Sequence, residues 1–282
     1  MMFIAFFILS TSTNFFMTLI ESIIIAIVEG ITEFLPISST GHMIITERLL
    51  QLPKDDPFTQ LFTIAIQLGA ILSVVVLYWR KFFDFTRWQF YLKLVVAVIP
   101  ALAIGFVASD FIDQLLDSPL TVAITLLLGG FVLLFIDNFF QKPWIEKERS
   151  ITYTKGFIIG LWQCIAMIPG VSRSAASIIG GMQQGLTRKL AAEFSFFLAV
   201  PTMAAATGYK LLKTFKTNPE VLRDKNNLYI LGIGNLVAFI VAMLAIKFFI
   251  TYLQKYGFKI FGWYRIIVGG VLIALIYSGM IS

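Results

Sequence analysis

The chain has 282 residues, of which 58% are hydrophobic and 13% charged, with a net charge of +6, and its mean hydropathy of +0.86 excludes an ordinary soluble domain. The positive charge does not point to nucleic acid, because Lys and Arg sit in short loops between apolar runs rather than on one basic face. The single cysteine, Cys164, excludes an intrachain disulfide and offers no metal-site spacing; it reads as a packing residue.

Residues 1–16, MMFIAFFILSTSTNFF, are apolar but lack the basic start and small-residue cleavage site of a secretory signal. With Met17 as a second plausible start, they read as an extension of unassigned role. Residues 17–282 read as a single membrane domain. Within it, residues 17–50 are apolar enough to enter a membrane but are broken by EGITEFLPISSTGH. Apolar runs long enough to cross a hydrocarbon core of about 30 Å follow near 58–79, 89–109 and 120–140. A second broken stretch at 154–185 carries PGVSRS, and further runs lie near 190–209, 228–252 and 262–281. Broken backbone at membrane depth is tolerated only inside protein or beside a water-filled cavity. Each broken stretch is therefore expected to be a re-entrant helical hairpin.

The two halves echo each other at an offset of about 133 residues. Glu29, Pro36 and Ser38-Ser39-Thr40-Gly41 are matched by Gln163, Pro169 and Gly170-Val171-Ser172-Arg173-Ser174. A hairpin plus three spans is an odd number of crossings, so repeat one (17–140) and repeat two (154–282) should run in opposite orientations. The expected fold is an all-α polytopic membrane protein with six transmembrane helices and two re-entrant hairpins in an inverted-topology repeat. Orientation follows the excess of Lys and Arg on the cytoplasmic side. The segments 80–93, 141–155, 186–189 and 253–261 carry twelve such residues. The opposite side carries Lys54, the acidic Asp110, Asp113 and Asp117, and, against the rule, five basic residues in 210–227. Twelve against six puts the entrance of the first hairpin and the C-terminus on the outer face.

Glu29 and Glu33 are four apart, on one face of a helix. Ionised carboxylates at membrane depth are costly, and a divalent cation would neutralise both while leaving positions for phosphate oxygens. Solvation at the interface is the competing explanation, and the uninterrupted IIIAIV before Glu29 argues against it. Pro36 ends that helix and Ser38, Ser39 and Thr40 start the next. Capping needs one hydroxyl, not three followed by Gly41 and His42. His42 is the sole histidine, one turn from Ser39, and is a candidate for proton transfer. Arg173 offers a planar fork suited to phosphate, and a helix starting at Ser172 to Ser174 would aim free N–H groups at the same anion. Metal, nucleophile or water, proton shuttle and anion clamp are the parts of a phosphate ester or anhydride hydrolase. Gln67 and Glu193, on repeat-related spans, are expected to add outer contacts, with ordinary helix-to-helix hydrogen bonding an equal reading for Gln67.

EGITEFLPISSTGHMII and PGVSRSAASIIGG resemble the two signatures of the undecaprenyl pyrophosphate phosphatases associated with bacitracin resistance, and the similarity covers about residues 17–282. The resemblance implies an enzyme of the bacterial inner membrane. It would remove the terminal phosphate of undecaprenyl pyrophosphate on the outer face, recycling the carrier lipid for peptidoglycan synthesis and conferring bacitracin resistance. It ties Glu29 and Glu33 to metal and catalysis and places Ser39, Thr40, His42, Ser172, Arg173 and Ser174 in the active site. Joined to the reading of the residues above, the expected catalytic set is Glu33, Ser39, His42 and Arg173, the expected substrate contacts are Ser38, Thr40, Ser172, Ser174 and Gln67, and the expected cofactor is a Mg²⁺ or Ca²⁺ ion on Glu29 and Glu33. Ala175 and Ser177 depart from the Gly and Thr common in the family, although Ser177 keeps a hydroxyl. The motifs leave Ser39, His42 and an activated water all open as the nucleophile. Expected partners are the prenyl pyrophosphate lipid and the bilayer, with a homodimer possible and no nucleic acid. A transporter or flippase of a prenyl phosphate or other phosphorylated substrate is the alternative, because broken helices and inverted repeats serve transport too; it would need only the anion clamp, not the carboxylate pair and the sole histidine.

Overall fold

The computed structural model describes residues 17–53, 56–108, 115 and 118–280. Residues 1–16 and Lys54, Asp110, Asp113 and Asp117, used above for orientation, lie outside the described residues. The described chain is helical, with a single isolated bridge between Ile145 and Leu186. Its principal helices are α1 (Leu19–Thr32), α2 (Ser39–Leu49), α3 (Pro57–Leu77), α4 (Trp88–Val107), α5 (Pro119–Phe139), α6 (Tyr153–Cys164), α7 (Arg173–Gln183), α8 (Arg188–Thr217), α9 (Lys225–Tyr256) and α10 (Lys259–Tyr277).

Among the described residues, six helical segments are long and apolar enough to cross a membrane: α3, Phe85–Val107 (which contains α4), α5, α8, α9 and α10. The longest exceed their apolar runs because a helix continues through polar residues until it meets its cap. Thr187 accepts a bond from Leu190 N at the start of α8, and Asp224 accepts from Asn226 N at the start of α9. Lys210, Lys213 and Lys216 therefore stand on α8 rather than in a loop, and Lys93, expected in a loop, is buried in α4 with Nζ donating to Arg149 O at 3.2 Å. At about 1.5 Å per residue, α1, α2, α6 and α7 reach only about 16–21 Å and are too short to cross alone.

Glycine allows the close crossings that hold helices together where burial from water is not the driving force. α5 and α10 meet at Gly130 and Gly262, where a Cβ on either would come within 2.9 Å of the other's carbonyl oxygen. α1 lies along α9 and α6 along α4. A Cβ on Gly30 of α1 would fall 2.9 Å from Ala238 O, and one on Gly156 of α6 3.1 Å from Lys93 O. Each half thus lays its first short helix against the middle long helix of the other. Phe34, between α1 and α2, is fully buried in the largest apolar cluster and meets Phe196 of α8 edge-on, centroids 5.2 Å apart. Outside this core the long helices expose apolar side chains such as Leu128 and Phe106, an apolar surface suited to lipid contact.

At one end, Lys81 bonds Glu193 at 3.1 Å and approaches Glu148 at 3.6 Å, while Arg87 bonds Glu148 at 2.9 Å. Glu193, expected to add an outer contact to the site, instead ties α8 to the segments around Lys81 and Glu148. It lies two residues before Ser195 on the helix surface, and that displacement turns its side chain to a different neighbour.

Candidate active site

Two chain breaks build the site. α1 closes on Glu33, whose N–H bonds Glu29 O at 2.9 Å. The chain then turns through Pro36 to Ser38, a non-glycine residue at φ 72°, a conformation that persists only when its surroundings hold it. The Ser38 hydroxyl caps α2 by accepting from Gly41 N at 3.3 Å, and its carbonyl accepts from His42 Nδ1 at 2.7 Å. In the second half, a turn of 3₁₀ helix at Ile165–Met167 leads through Pro169 to Gly170 at φ 84°. A Cβ there would collide with Thr125 Oγ1, so glycine is required both for the turn and for the space. Ser172 caps α7 by accepting from Ala175 N at 3.2 Å, the same capping role that Ser38 has in the first half.

The two tips bind each other directly. Ser174 Oγ donates to Leu35 O at 2.8 Å, and Ser172 Oγ lies 3.4 Å from the same carbonyl. Arg173 Nη2 donates to Glu33 Oε1 at 3.2 Å and Nη1 to Ser195 O at 3.2 Å. Ser39 Oγ donates to the other Glu33 oxygen at 2.6 Å. One carboxylate thus joins the hydroxyl of the first motif to the guanidinium of the second. Glu33, Ser38, Ser39, Thr40, Gln67, Ser172 and Arg173 line a cavity of about 130 Å³. Ser174 does not line it, since its hydroxyl is committed to the tip–tip contact.

Glu29 lies one turn below Glu33 and is fully buried. Both Glu29 carboxylate oxygens and Arg173 Nε are buried without hydrogen-bond partners, which folded proteins seldom leave unexplained. Orphaned acceptors and an orphaned donor on either side of Glu33 are what a cation and a phosphate would satisfy. Among the described residues no group of three or more His, Cys, Asp and Glu side chains gathers as a metal site. The carboxylates of Glu29 and Glu33 fit a hard cation that completes its shell with water and phosphate oxygens.

His42 is turned away from Ser39. Its ring stacks on Tyr264 of α10 at 5.5 Å between centroids and 7° between planes, and Nε2 lies 2.7 Å from the Tyr264 hydroxyl. A carbonyl can only accept, so the partners assign the hydrogen to Nδ1, and Nε2 accepts from Tyr264. In this arrangement His42 holds the backbone of Ser38, and Glu33 is the carboxylate in contact with the Ser39 hydroxyl.

The sequence pattern described as Bacitracin resistance protein BacA matches residues 22–271. That span contains both motifs and every long helix except the C-terminal end of α10. The chain belongs to this family. Similar relatives, named undecaprenyl-diphosphatase, include one from Flavobacterium johnsoniae, 57% identical over 92% of this chain and 96% of the relative. Another from Bdellovibrio bacteriovorus is 51% identical over 93% of this chain and 98% of the relative.

Sequence reasoning passed over three residues near the family motifs. Thr125 Oγ1 donates to Pro169 O at 2.6 Å, Tyr264 holds His42, and Arg265 reaches both tips. The signal that pointed to Arg265 was a lone charge in IFGWYRIIVGG, hidden inside a run read only for its length. Thr125 and Tyr264 carry no such mark, because both residue types are ordinary in a spanning helix.

Proposed function

We propose that this protein hydrolyses undecaprenyl diphosphate to undecaprenyl phosphate and inorganic phosphate, with the Ser39 hydroxyl as nucleophile and Glu33 as its base. The observation that carries this reading is the 2.6 Å bond from Ser39 Oγ to Glu33 Oε2, on the wall of a cavity shared with Arg173, in a chain whose relatives are named for that reaction. Glu33 Oε2 takes the Ser39 proton as Oγ bonds to the terminal phosphorus and the anhydride P–O bond breaks, releasing undecaprenyl phosphate. Water then attacks the phosphoserine, phosphate departs, and the proton returns from Glu33 to Ser39. Arg173 and the backbone N–H groups at the start of α7 hold the phosphate oxygens as their charge grows. Thr40, Gln67 and the Ser172 hydroxyl lie where the rest of the head group would rest.

Glu29 and Glu33 would hold a divalent cation, Mg²⁺ or Ca²⁺, which when bound supplies positive charge to the phosphate oxygens. The unpartnered oxygens of Glu29 support this assignment. The same reading takes α1–α2 and α6–α7 as re-entrant hairpins of an inverted repeat. It is supported by their short helices, by matched caps at Ser38 and Ser172, and by the exchange in which α1 packs on α9 and α6 on α4. The protein is then a multi-pass protein of the bacterial inner membrane with its site open to the outer face, supported by the weight of Lys and Arg at the opposite end.

Release of phosphate from a C55 or C15 prenyl diphosphate by the purified protein, with and without EDTA, tests the reading. Turnover that EDTA abolishes and Mg²⁺ or Ca²⁺ restores is expected, and no turnover with metal present sinks it. Rapid quenching should trap phosphate on Ser39; a fully active Ser39→Ala rules out the covalent route.

A further inference from the structure

Arg265 has the largest side chain among the fully buried described residues. It sits in a membrane-crossing helix, where an arginine is costly, and it does not line the cavity. All four of its hydrogen bonds go to backbone carbonyls. Nε donates to Leu126 O at 3.3 Å and Nη2 to Thr125 O at 3.0 Å, both on α5. Nη1 donates to Pro36 O at 3.3 Å and Nη2 also to Gly170 O at 2.9 Å. The last two acceptors lie in the two chain breaks, where no helical N–H is available and a buried carbonyl needs another donor.

We propose that Arg265 is a positioning residue for the hydrolysis, a clasp that joins the two tips through Pro36 and Gly170 and sets the register in which Glu33, Ser39 and Arg173 meet. This rests on the reading of those three residues as the reacting site. Pro36 is three residues from both Glu33 and Ser39, and Gly170 three from Arg173, so a slip of either tip disturbs the contacts between them. Misplacement of reacting groups by about 1 Å costs on the order of a hundredfold in rate. The planar fork is what allows one side chain to serve acceptors on α5 and on both tips; a lysine ammonium is a point donor. Its neighbour Tyr264 adds a second hold on the first tip through His42 and the Ser38 carbonyl. Room for the clasp comes from Gly129, where a Cβ would overlap Arg265 Nη2.

Two independent perturbations test this: Arg265→Gln, with Arg265→Lys beside it, and Gly129→Ala, which displaces the guanidinium without removing it. For folded protein, kcat is expected to fall at least tenfold in Arg265→Gln and in Gly129→Ala, with KM within about twofold and Arg265→Lys retaining more activity than Arg265→Gln. A second readout does not depend on turnover. In a Cys164→Ser background, spin labels at Leu49→Cys and Gln184→Cys, at the far ends of α2 and α7, report the separation of the hairpins by pulsed electron resonance. Their distance distribution should broaden or shift in both variants. Wild-type kcat in folded Gly129→Ala, or an unchanged distribution in Arg265→Gln, overturns the clasp. Loss of all turnover in the unmodified enzyme would instead strike the proposed function and leave the distance experiment standing.

Discussion

Glu33→Gln separates the two candidate bases. The Glu33 carboxylate accepts from Ser39 Oγ at 2.6 Å and from Arg173 Nη2 at 3.2 Å, and the pair is nearly enclosed, with side chains 5% and 14% exposed. Glutamine keeps the shape and one acceptor oxygen but loses the charge and the ability to take the serine proton. Loss of a positioned base costs about 10²–10⁴ in rate, or roughly 3–5 kcal/mol of barrier. Stability should change less. Removing one partner of a buried ion pair costs up to about 3–5 kcal/mol, but glutamine can still accept from Arg173, and the change removes a like charge one turn from Glu29. The assay is phosphate release from a C15 prenyl diphosphate at saturating metal, alongside the thermal midpoint, with His42→Gln as the comparison. kcat should fall by at least a hundredfold in Glu33→Gln. His42→Gln, which loosens the hold on Ser38 without removing the base, should fall by about tenfold, less than the roughly hundredfold cost of a full misplacement of about 1 Å. Glu33→Gln within tenfold of wild type, or a larger loss in His42→Gln, refutes the assignment of Glu33 as base.

Three further outcomes follow from the same geometry. Glu29→Gln should raise the Mg²⁺ concentration for half-maximal activity on the order of tenfold or more, as loss of support at a metal site does; an unchanged metal titration would remove Glu29 from the cation. Gly170→Ala should lower stability by at least about 1–2 kcal/mol from its left-handed backbone alone, with the collision against Thr125 Oγ1 added, and an unaltered thermal midpoint would contradict the turn. In Cys164→Ser protein, an impermeant thiol reagent applied to whole cells should label Asn218→Cys and spare Thr86→Cys; the reverse pattern would invert the orientation.

Much was legible in one dimension because the membrane restricts what a chain can do. Twenty apolar residues have few alternatives to a spanning helix, so six spans could be located from composition. Pro36 and Pro169 with their small polar neighbours could only be breaks. Polar groups in such breaks must be satisfied by something, and so Glu29, Glu33, Ser39 and Arg173 stood out as candidates before any contact was known. Charge in the loops was less informative than it looked, because Lys93 is buried and Lys210, Lys213 and Lys216 lie on α8.

What only the tertiary structure decided is direction and neighbourhood. Ser39 and His42 are one helical turn apart, yet Ser39 faces Glu33 and His42 faces Tyr264, a residue 222 positions away. Glu193 and Ser195 differ by two positions and serve different ends: Glu193 pairs with Lys81, while the Ser195 carbonyl receives Arg173. Arg265 draws its meaning from carbonyls on α5 and on both tips. Hydropathy and spacing report how far along a helix a residue lies and which face it shares. They do not report which helix packs against that face, and here the packing of α10 against α5 brings Arg265 to both tips.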